Sequence, residues 1–289
     1  MLRILQTRLL ETKSYAVLTM ETVPIYSWNP KSLWPGQARN PFARLNWSVG
    51  NFGDLYNFDL VRYLYGVEAR NKVHGSKMLF VGSTLHRAQK GDSVTGVGAK
   101  SQDKPINCLS TDIVGLRGQL SQALAEAQLG KLQNLRFLGD PGGIASDVYG
   151  QSDVAEIKHG VTVIPHYRDY KIWRDMGFPA EKMVSPDNEP RFVYERIASS
   201  VAVVTSSLHG LVFANSAGIP VTLVRPLSEP FFKYEDYLSA MTGDAPEIIS
   251  VEYALRNLDS LSGAIGTLDK DSIRNGLPTK GNVEKFLRS

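Results

Sequence analysis

The sequence predicts an α/β fold made of two Rossmann-like, doubly wound domains that face each other across a cleft. Short apolar runs alternate with helical segments of about ten residues, which is typical of parallel sheets covered by helices. The alternation occurs on both sides of a polar segment at residues 147–159, so we expect domains at 1–150 and 151–289. A strand, two serines and a helix follow one another at residues 201–217, an arrangement that places ligands at a sheet edge.

The N-terminal half gives the weaker pattern. Its predicted elements are a strand within residues 17–26, an amphipathic helix at 55–65 that ends at Gly66, a buried strand at 77–82, a loop at 91–107, a helix within 114–129, and a strand followed by a turn at 135–143.

The C-terminal half is more regular. Strands are predicted at residues 161–165, near 183, at 201–204 and at 221–224, with helices at 169–176, 191–199 and from 208 onward. Ser206 and Ser207 suit the helix N-terminus, and Gly218 then Pro220 stop it. Free N–H groups and the positive end of the helix dipole make this N-terminus an anion site, to which His209 adds a donor or a proton.

Composition excludes several classes of protein. The 289 residues are 43% hydrophobic and 21% charged, as in ordinary globular proteins, and the net charge of +3 is too small to predict nucleic-acid binding. The sequence contains no run of about 20 apolar residues, so no membrane span is predicted, and the N-terminus lacks a secretory pattern. The lone Cys108 is interpreted as structural and fits a reducing compartment, so we expect a cytoplasmic protein, with a peripheral contact at the inner face of the membrane compatible with its basic excess.

Nucleotide and metal motifs are missing. Gly91 and Gly96 have Walker A spacing, but no Gly-Lys-Ser/Thr follows, and no Gly-x-Gly-x-x-Gly occurs. The five histidines form no His-x-x-x-His pair and have no cysteine beside them. We therefore expect neither a metal nor a cofactor.

Short motifs scattered along the chain supply the functional signal. They are residues 51–54 (Asn-Phe-Gly-Asp), 82–86 (Gly-Ser-Thr-Leu-His), 96–98 (Gly-Val-Gly), 116–118 (Leu-Arg-Gly), 139–141 (Gly-Asp-Pro), 164–167 (Ile-Pro-His-Tyr) and 206–220 (Ser-Ser-Leu-His-Gly to Gly-Ile-Pro). In this order, from about residue 47 to about 240, they resemble the polysaccharide pyruvyl transferases. Many members of that family carry Arg where this chain has Ser207, and the Ser-Ser-Leu-His-Gly form resembles the succinoglycan-type branch.

The resemblance implies a ketal pyruvyltransferase. Such an enzyme moves the enolpyruvyl unit of phosphoenolpyruvate, a co-substrate, onto a sugar of an exopolysaccharide, cell-wall glycan or glycolipid, free or lipid-linked, and releases phosphate. The fold it implies is similar to that of two-domain glycosyltransferases, with the acceptor on the N-terminal and the donor on the C-terminal side.

The resemblance and the anion-site argument together select the candidate residues. His209 is the expected acid or phosphate donor, and Asp54 is the expected base. The expected substrate-binding residues are Ser206, Ser207, Leu208, Arg117, His166, Arg225, Asn51 and Asp140. Because Ser207 stands where many family members have arginine, another residue must supply that positive charge, and Arg225 or Lys233 is expected to do so. Trp28, Trp34 and Trp47 either stack on a sugar ring or pack the domain.

Two other classes stay open. A sugar-nucleotide-dependent glycosyltransferase of similar architecture would bind a nucleoside diphosphate. A member of the family that has lost catalysis would act as a binding module, and Ser207 and Gln119, which stands where the family has proline, favour it.

Overall fold

The computed structural model describes residues 21–28, 51–106, 111–150 and 159–287. It is a mixed α/β fold with parallel sheets, as the sequence predicted. The predictions for Cys108, Trp34 and Trp47 lie outside the described residues.

The first sheet contains six parallel strands in the order β2-β1-β3-β4-β5-β6. These strands are β1 (Thr22–Ile25), β2 (Glu68–Asn71), β3 (Met78–Leu79), β4 (Ser93–Thr95), β5 (Asp112–Leu116) and β6 (Phe137–Leu138). The helices of this part of the chain are α1 (Phe52–Tyr65), α2 (Gln119–Leu129) and α3 (Ala145–Tyr149). Short 3-10 turns lie at Leu85–Arg87 and Pro141–Ile144.

The second half of the chain builds a smaller parallel sheet. The strands of this half are β7 (His159–Ile164), β8 (Ser200–Thr205), β9 (Val221–Val224), β10 (Thr242–Gly243), β11 (Ile248–Ile249) and β12 (Gly266–Thr267). The order of the sheet is β11-β9-β8-β7, while β10 and β12 form a separate antiparallel pair. The helices are α4 (Tyr170–Asp175), α5 (Pro190–Ala198), α6 (Leu208–Ala217), α7 (Phe232–Leu238), α8 (Val251–Asn257), α9 (Lys270–Gly276) and α10 (Lys280–Leu287).

One hydrophobic cluster connects the two sheets. It contains Ile25 and Met78 from the first sheet, Val203 from the second, and side chains of α1 and α6. The end of the chain also returns to the first half, where the Tyr65 hydroxyl donates to the backbone oxygen of Pro278 at 3.1 Å. The division into two Rossmann-like domains at residue 150 stays a prediction.

Helix α6 is buried along most of its length, which explains its apolar sequence. Its residues from Leu208 to Ser216 are all buried, because α3, α5 and the second sheet surround it. The Ser207 hydroxyl caps the N-terminus by accepting from the Gly210 N–H at 3.3 Å, and Gly218 closes the C-terminus with a φ of 67°, in the left-handed region. The sequence prediction for both ends of this helix is confirmed.

Two strands of the first sheet correct the sequence prediction. Strand β4 lies in the predicted loop at 91–107. The helix predicted within 114–129 is confirmed as α2, but β5 before it was not predicted. Strand β4 was missed because its residues Ser93 and Thr95 are polar. Both are nevertheless buried, and the Thr95 hydroxyl donates a hydrogen bond to the Leu79 backbone oxygen at 2.9 Å. The apolar residues of β5 continue into α2, and periodicity alone does not separate a short buried strand from a helix.

Candidate active site

A cavity of about 280 Å³ opens where residues that follow the parallel strands of both sheets meet the N-termini of α1 and α6. From the first half, Tyr26 and Trp28 follow β1, and Ser83 to Arg87 follow β3. From the second half, His166 to Arg168 follow β7, and Ser207 to His209 follow β8. Carboxyl ends of parallel strands are the usual place for ligands in open α/β sheets.

Six of the predicted site residues line this cavity. They are Asn51, Asp54, His166, Ser207, Leu208 and His209. Residues 54 and 209 come from different halves of the chain, so the fold brings the two predicted catalytic groups to one wall.

His209 lies in the first turn of α6 with its ring against α1. Gly53 allows this approach, since a Cβ at that position would overlap the imidazole ring. The His209 side chain is 8% exposed, and its Nε2 atom has no hydrogen-bond partner. Burial, with Lys233 and Arg117 nearby, lowers the pKa of His209 to about 3, so the imidazole is neutral at neutral pH.

Asp54 lies in the first turn of α1. Its Oδ2 atom accepts from the side-chain amide of Asn51, while its Oδ1 atom has no partner. A Cβ at Gly82, where φ is +127°, would lie 2.7 Å from that Oδ1 atom, so glycine is required for the approach. Burial raises the pKa of Asp54 well above its usual range; Asp140 raises it further, while Lys233 and Asn51 act in the opposite direction.

Two further wall residues have buried polar atoms without partners. These are the Thr84 hydroxyl oxygen and the Nδ1 atom of His86. Burial, together with Arg87, Lys104 and Lys100, lowers the pKa of His86 to about 4. Buried polar groups without partners are rare in folded proteins, and their concentration on one cavity indicates a site built for a polar ligand.

The wall is predominantly basic. Its cationic side chains are Arg87, Lys100, Arg168 and Lys233, against the carboxyls of Asp54 and Glu229. Three of the cations surround Glu229, whose side chain is 3% exposed: Arg168 at 3.1 Å, Lys100 at 3.4 Å and Lys233 at 3.5 Å.

Lys233 is the buried member of this group, at 6% exposure. Its ammonium lies 3.4 Å from Nε2 of His166. Burial lowers the pKa of Lys233 to about 8, with Arg117 and Lys100 lowering it further and Glu229 opposing them. His166 is neutral for the same reasons, because burial and the neighbouring Lys233 lower its pKa to about 2.

Arg117 and Arg225, both expected to contact the donor, lie outside the cavity wall. The guanidinium of Arg117 is fully buried and donates to Asp236 and Ser83, both within 3 Å, and to the Ala99 backbone oxygen at 2.7 Å. Arg225 is exposed, with its guanidinium carbon 4.3 Å from the centroid of the Phe231 ring. Lys233, the alternative considered for the missing cation, lies in the wall.

Ser206 and Asp140 are placed behind the wall. The Ser206 hydroxyl accepts from the His166 N–H at 2.9 Å, which positions the loop after β7. One oxygen of Asp140 accepts from the Gly142 N–H at 2.8 Å, and the other is buried without a partner. Burial raises the pKa of Asp140 to about 6, although the Gly142 N–H and Arg117 act to lower it.

Sequence reasoning missed several wall residues: Tyr26, Thr84, Arg87, Lys100, Tyr167, Arg168 and Glu229. Five of these, Tyr26, Thr84, Arg87, Tyr167 and Arg168, follow a strand that the sequence did predict, so position after a strand was the signal that could have found them. Lys100 follows β4, which the sequence analysis did not recognise as a strand.

Two absences concern the described part of the chain only. No group of three or more His, Cys, Asp or Glu side chains is arranged there to hold a metal ion. None of the helices given above combines the length and the apolar character needed to cross a bilayer.

Comparison with known proteins agrees with the motifs. The model of the polysaccharide pyruvyl transferase family matches residues 47–228. An uncharacterized protein of Acanthamoeba polyphaga mimivirus is 27% identical over 203 residues, which cover 65% of this chain and 70% of the viral protein. No solved structure gives a significant match. Because the family match covers well over half of the sequence, the chain belongs to the polysaccharide pyruvyl transferase family.

Proposed function

We propose that this protein is a ketal pyruvyltransferase that uses phosphoenolpyruvate to pyruvylate a sugar of an exopolysaccharide, cell-wall glycan or glycolipid. Family membership supports pyruvyl transfer to a polysaccharide. The observation that carries the donor assignment is a basic cavity in which Asp54, Thr84, His86 and His209 each present a buried polar atom without a partner. Assignment to the succinoglycan-type branch rests on Ser206 to Gly210 and stays a prediction.

The donor's two anionic groups match the chemistry of the wall. Lys233, Arg168 and Lys100 supply positive charge, and the N–H groups of Leu208 and His209 belong to the first turn of α6, where the helix itself offers no acceptor. Arg117 contributes from behind by holding the Ser83 hydroxyl at 2.8 Å.

The proposed reaction has two additions at C2 of the enolpyruvyl group. One sugar hydroxyl adds to C2 and gives its proton to the base, while the acid protonates the methylene carbon. Phosphate then leaves with the electron pair of its bond to C2 and takes up the proton held by the base. The second hydroxyl attacks the oxocarbenium-like C2 and returns its proton to the deprotonated acid, which closes the ketal. The chain must therefore supply one proton donor and one proton acceptor.

The pKa directions favour the reverse of the sequence-based assignment. Burial raises the pKa of Asp54 well above its usual range, which favours its protonated form as a proton donor, whereas the lowered pKa of His209 leaves its imidazole as a free base. The negative donor would raise the pKa of both groups, which strengthens Asp54 as the acid. We therefore propose Asp54 as the proton donor to the methylene carbon and His209 as the base.

The first test is thermal stabilisation by candidate ligands. Phosphoenolpyruvate at about 100 times its Kd should stabilise the protein by about 2.7 kcal/mol, and more than inorganic phosphate at the same concentration. Stabilisation by a sugar nucleotide instead would favour the glycosyltransferase alternative, and stabilisation by neither would favour the binding module. Mass spectrometry of candidate glycans after incubation should then show an added pyruvate ketal.

The second prediction concerns pH. The value of kcat/KM for phosphoenolpyruvate should fall as pH rises through about 8, because Lys233 loses its positive charge there. Lys233→Arg should remove this fall, since arginine stays charged, and Lys233→Met should lower kcat/KM at every pH below 8. Persistence of the same inflection in Lys233→Arg would remove Lys233 from donor binding.

A further inference from the structure

Two half-buried aromatic residues, Trp28 and Tyr167, form a corner of the cavity wall. Their ring centroids lie 5.6 Å apart with planes inclined by 48°. The other two aromatic residues of the described wall, Tyr26 and Phe52, are buried. The aromatic corner is thus the part of this wall that keeps aromatic surface available.

The two rings differ in how many other groups of the protein contact them. Tyr167 lies against the His166 ring at 4.4 Å and under the Arg168 guanidinium at 5.5 Å, and Nε of Arg168 donates to its hydroxyl at 2.9 Å. Trp28 packs against a second hydrophobic cluster, which contains Leu79 and Val94 of the first sheet, and it also contacts Tyr167. It remains partly exposed in the cavity wall. Trp28 is therefore the ring with free surface, and Tyr167 is its support.

The backbone that carries Trp28 is fixed in advance. Ser27 donates through its N–H to Oδ1 of Asn71 at 3.0 Å, and its carbonyl accepts from the Asn71 amide at 2.9 Å. Its hydroxyl donates to the backbone oxygen of Asp54 at 2.7 Å. A fixed backbone reduces the entropy cost of binding, as expected at a recognition site.

The corner is connected to the proposed donor site through His166. From Tyr167 the contacts run to the His166 ring and then to the Lys233 ammonium, 3.4 Å from Nε2. Asp54 is tied to the same side of the cavity, because its backbone oxygen accepts from the hydroxyl of Ser27, the residue before Trp28. Asp54 is thus close enough to act on the aromatic side of the cavity, while Lys233 lies on its basic side.

We propose that Trp28, supported by Tyr167, is the platform on which the acceptor's pyranose ring stacks, an inference that rests on the proposed function. One face of a pyranose carries C–H groups that pack on an aromatic surface, while the hydroxyls at its edge need polar partners. Asn51, Asp54 and His86 supply such partners in the same wall. A sugar stacked on Trp28 presents its hydroxyls toward Asp54 and the donor.

Binding of simple pyranosides tests this without relying on turnover. Saturation-transfer NMR would use the methyl glycosides of β-galactose, β-glucose and α-mannose at tens of millimolar. We expect transfer concentrated on the protons of one ring face for at least one of them. Trp28→Ala should weaken its binding about tenfold, equivalent to about 1.4 kcal/mol, and Trp28→Phe should restore part of the affinity.

Phe192→Ala provides the matched control, because Phe192 is an aromatic residue of α5 that is 53% exposed and lies outside the cavity wall. Phosphoenolpyruvate should stabilise wild type and Trp28→Ala equally, which verifies folding and the donor site. Unchanged pyranoside binding in Trp28→Ala, or no binding of the three glycosides to the wild type, would overturn the platform while leaving the donor assignment intact. Failure of phosphoenolpyruvate to bind the wild type would instead reject the proposed function.

Discussion

Replacing His209 with alanine is expected to lower kcat at least ~100-fold, the usual contribution of a positioned acid or base. The residue lies at the cavity with an unpartnered Nε2 atom, and its ring is held beside Gly53. The described wall has no other titratable side chain in the first turn of α6. Phosphate release from phosphoenolpyruvate in the presence of an accepted glycan measures the effect.

Controls separate chemistry from folding in this experiment. His74→Ala changes an exposed histidine outside the cavity wall and should leave kcat unchanged. His209→Ala should retain most of its stabilisation by phosphoenolpyruvate, because the backbone N–H groups and Lys233 remain. Turnover of His209→Ala near that of the wild type would remove this residue from the mechanism.

Replacing Asp236 with alanine is expected to lower the free energy of unfolding by about 3–5 kcal/mol. Asp236 is fully buried on α7 and accepts from Nε of Arg117 at 2.9 Å. It also accepts from the Ser121 N–H at 2.7 Å and the Ser121 hydroxyl at 2.6 Å. Its loss would leave the buried guanidinium of Arg117 without a counter-charge, and urea denaturation at neutral pH measures the cost.

A surface ion pair offers the comparison. Asp271, whose side chain is 82% exposed, pairs with Arg274, and Asp271→Ala should cost at most about 1 kcal/mol because solvent screens that pair. Asp236→Asn should be less harmful than Asp236→Ala, since the amide oxygen still accepts from Ser121. A cost below about 1 kcal/mol for Asp236→Ala would show that Arg117 finds other partners.

The sequence predicted best where local signals agree. At α6, strand residues, capping serines, an apolar run and a terminal glycine all indicated the same boundaries. Strands β4 and β5 were not predicted, because β4 has only three residues, two of them polar, and β5 is separated from helix α2 by only two residues. Their assignment depends on neighbours in the sheet, which a single sequence does not reveal.

The candidate site was predicted in part for the same reason. Asp54 and His209 were found from the ends of their helices, which are local features. The fate of Arg117 depends on Asp236, 119 residues away, and that of Lys233 on Glu229 and His166. The balance of burial and charge on which the proposed acid and base roles rest also arises only when distant segments meet.

The hydrophobic cluster shared by the two sheets has a consequence for substrate entry. A hinge motion that moved the sheets apart would separate Phe52 of α1 from Phe213 of α6, whose ring centroids lie 5.6 Å apart. It would also expose the apolar side chains around them to water. Exposing apolar surface costs about 25 cal/mol per Å², so a wide opening would consume much of the stability of an ordinary domain. Ligands should therefore enter and leave through the existing mouth of the cavity.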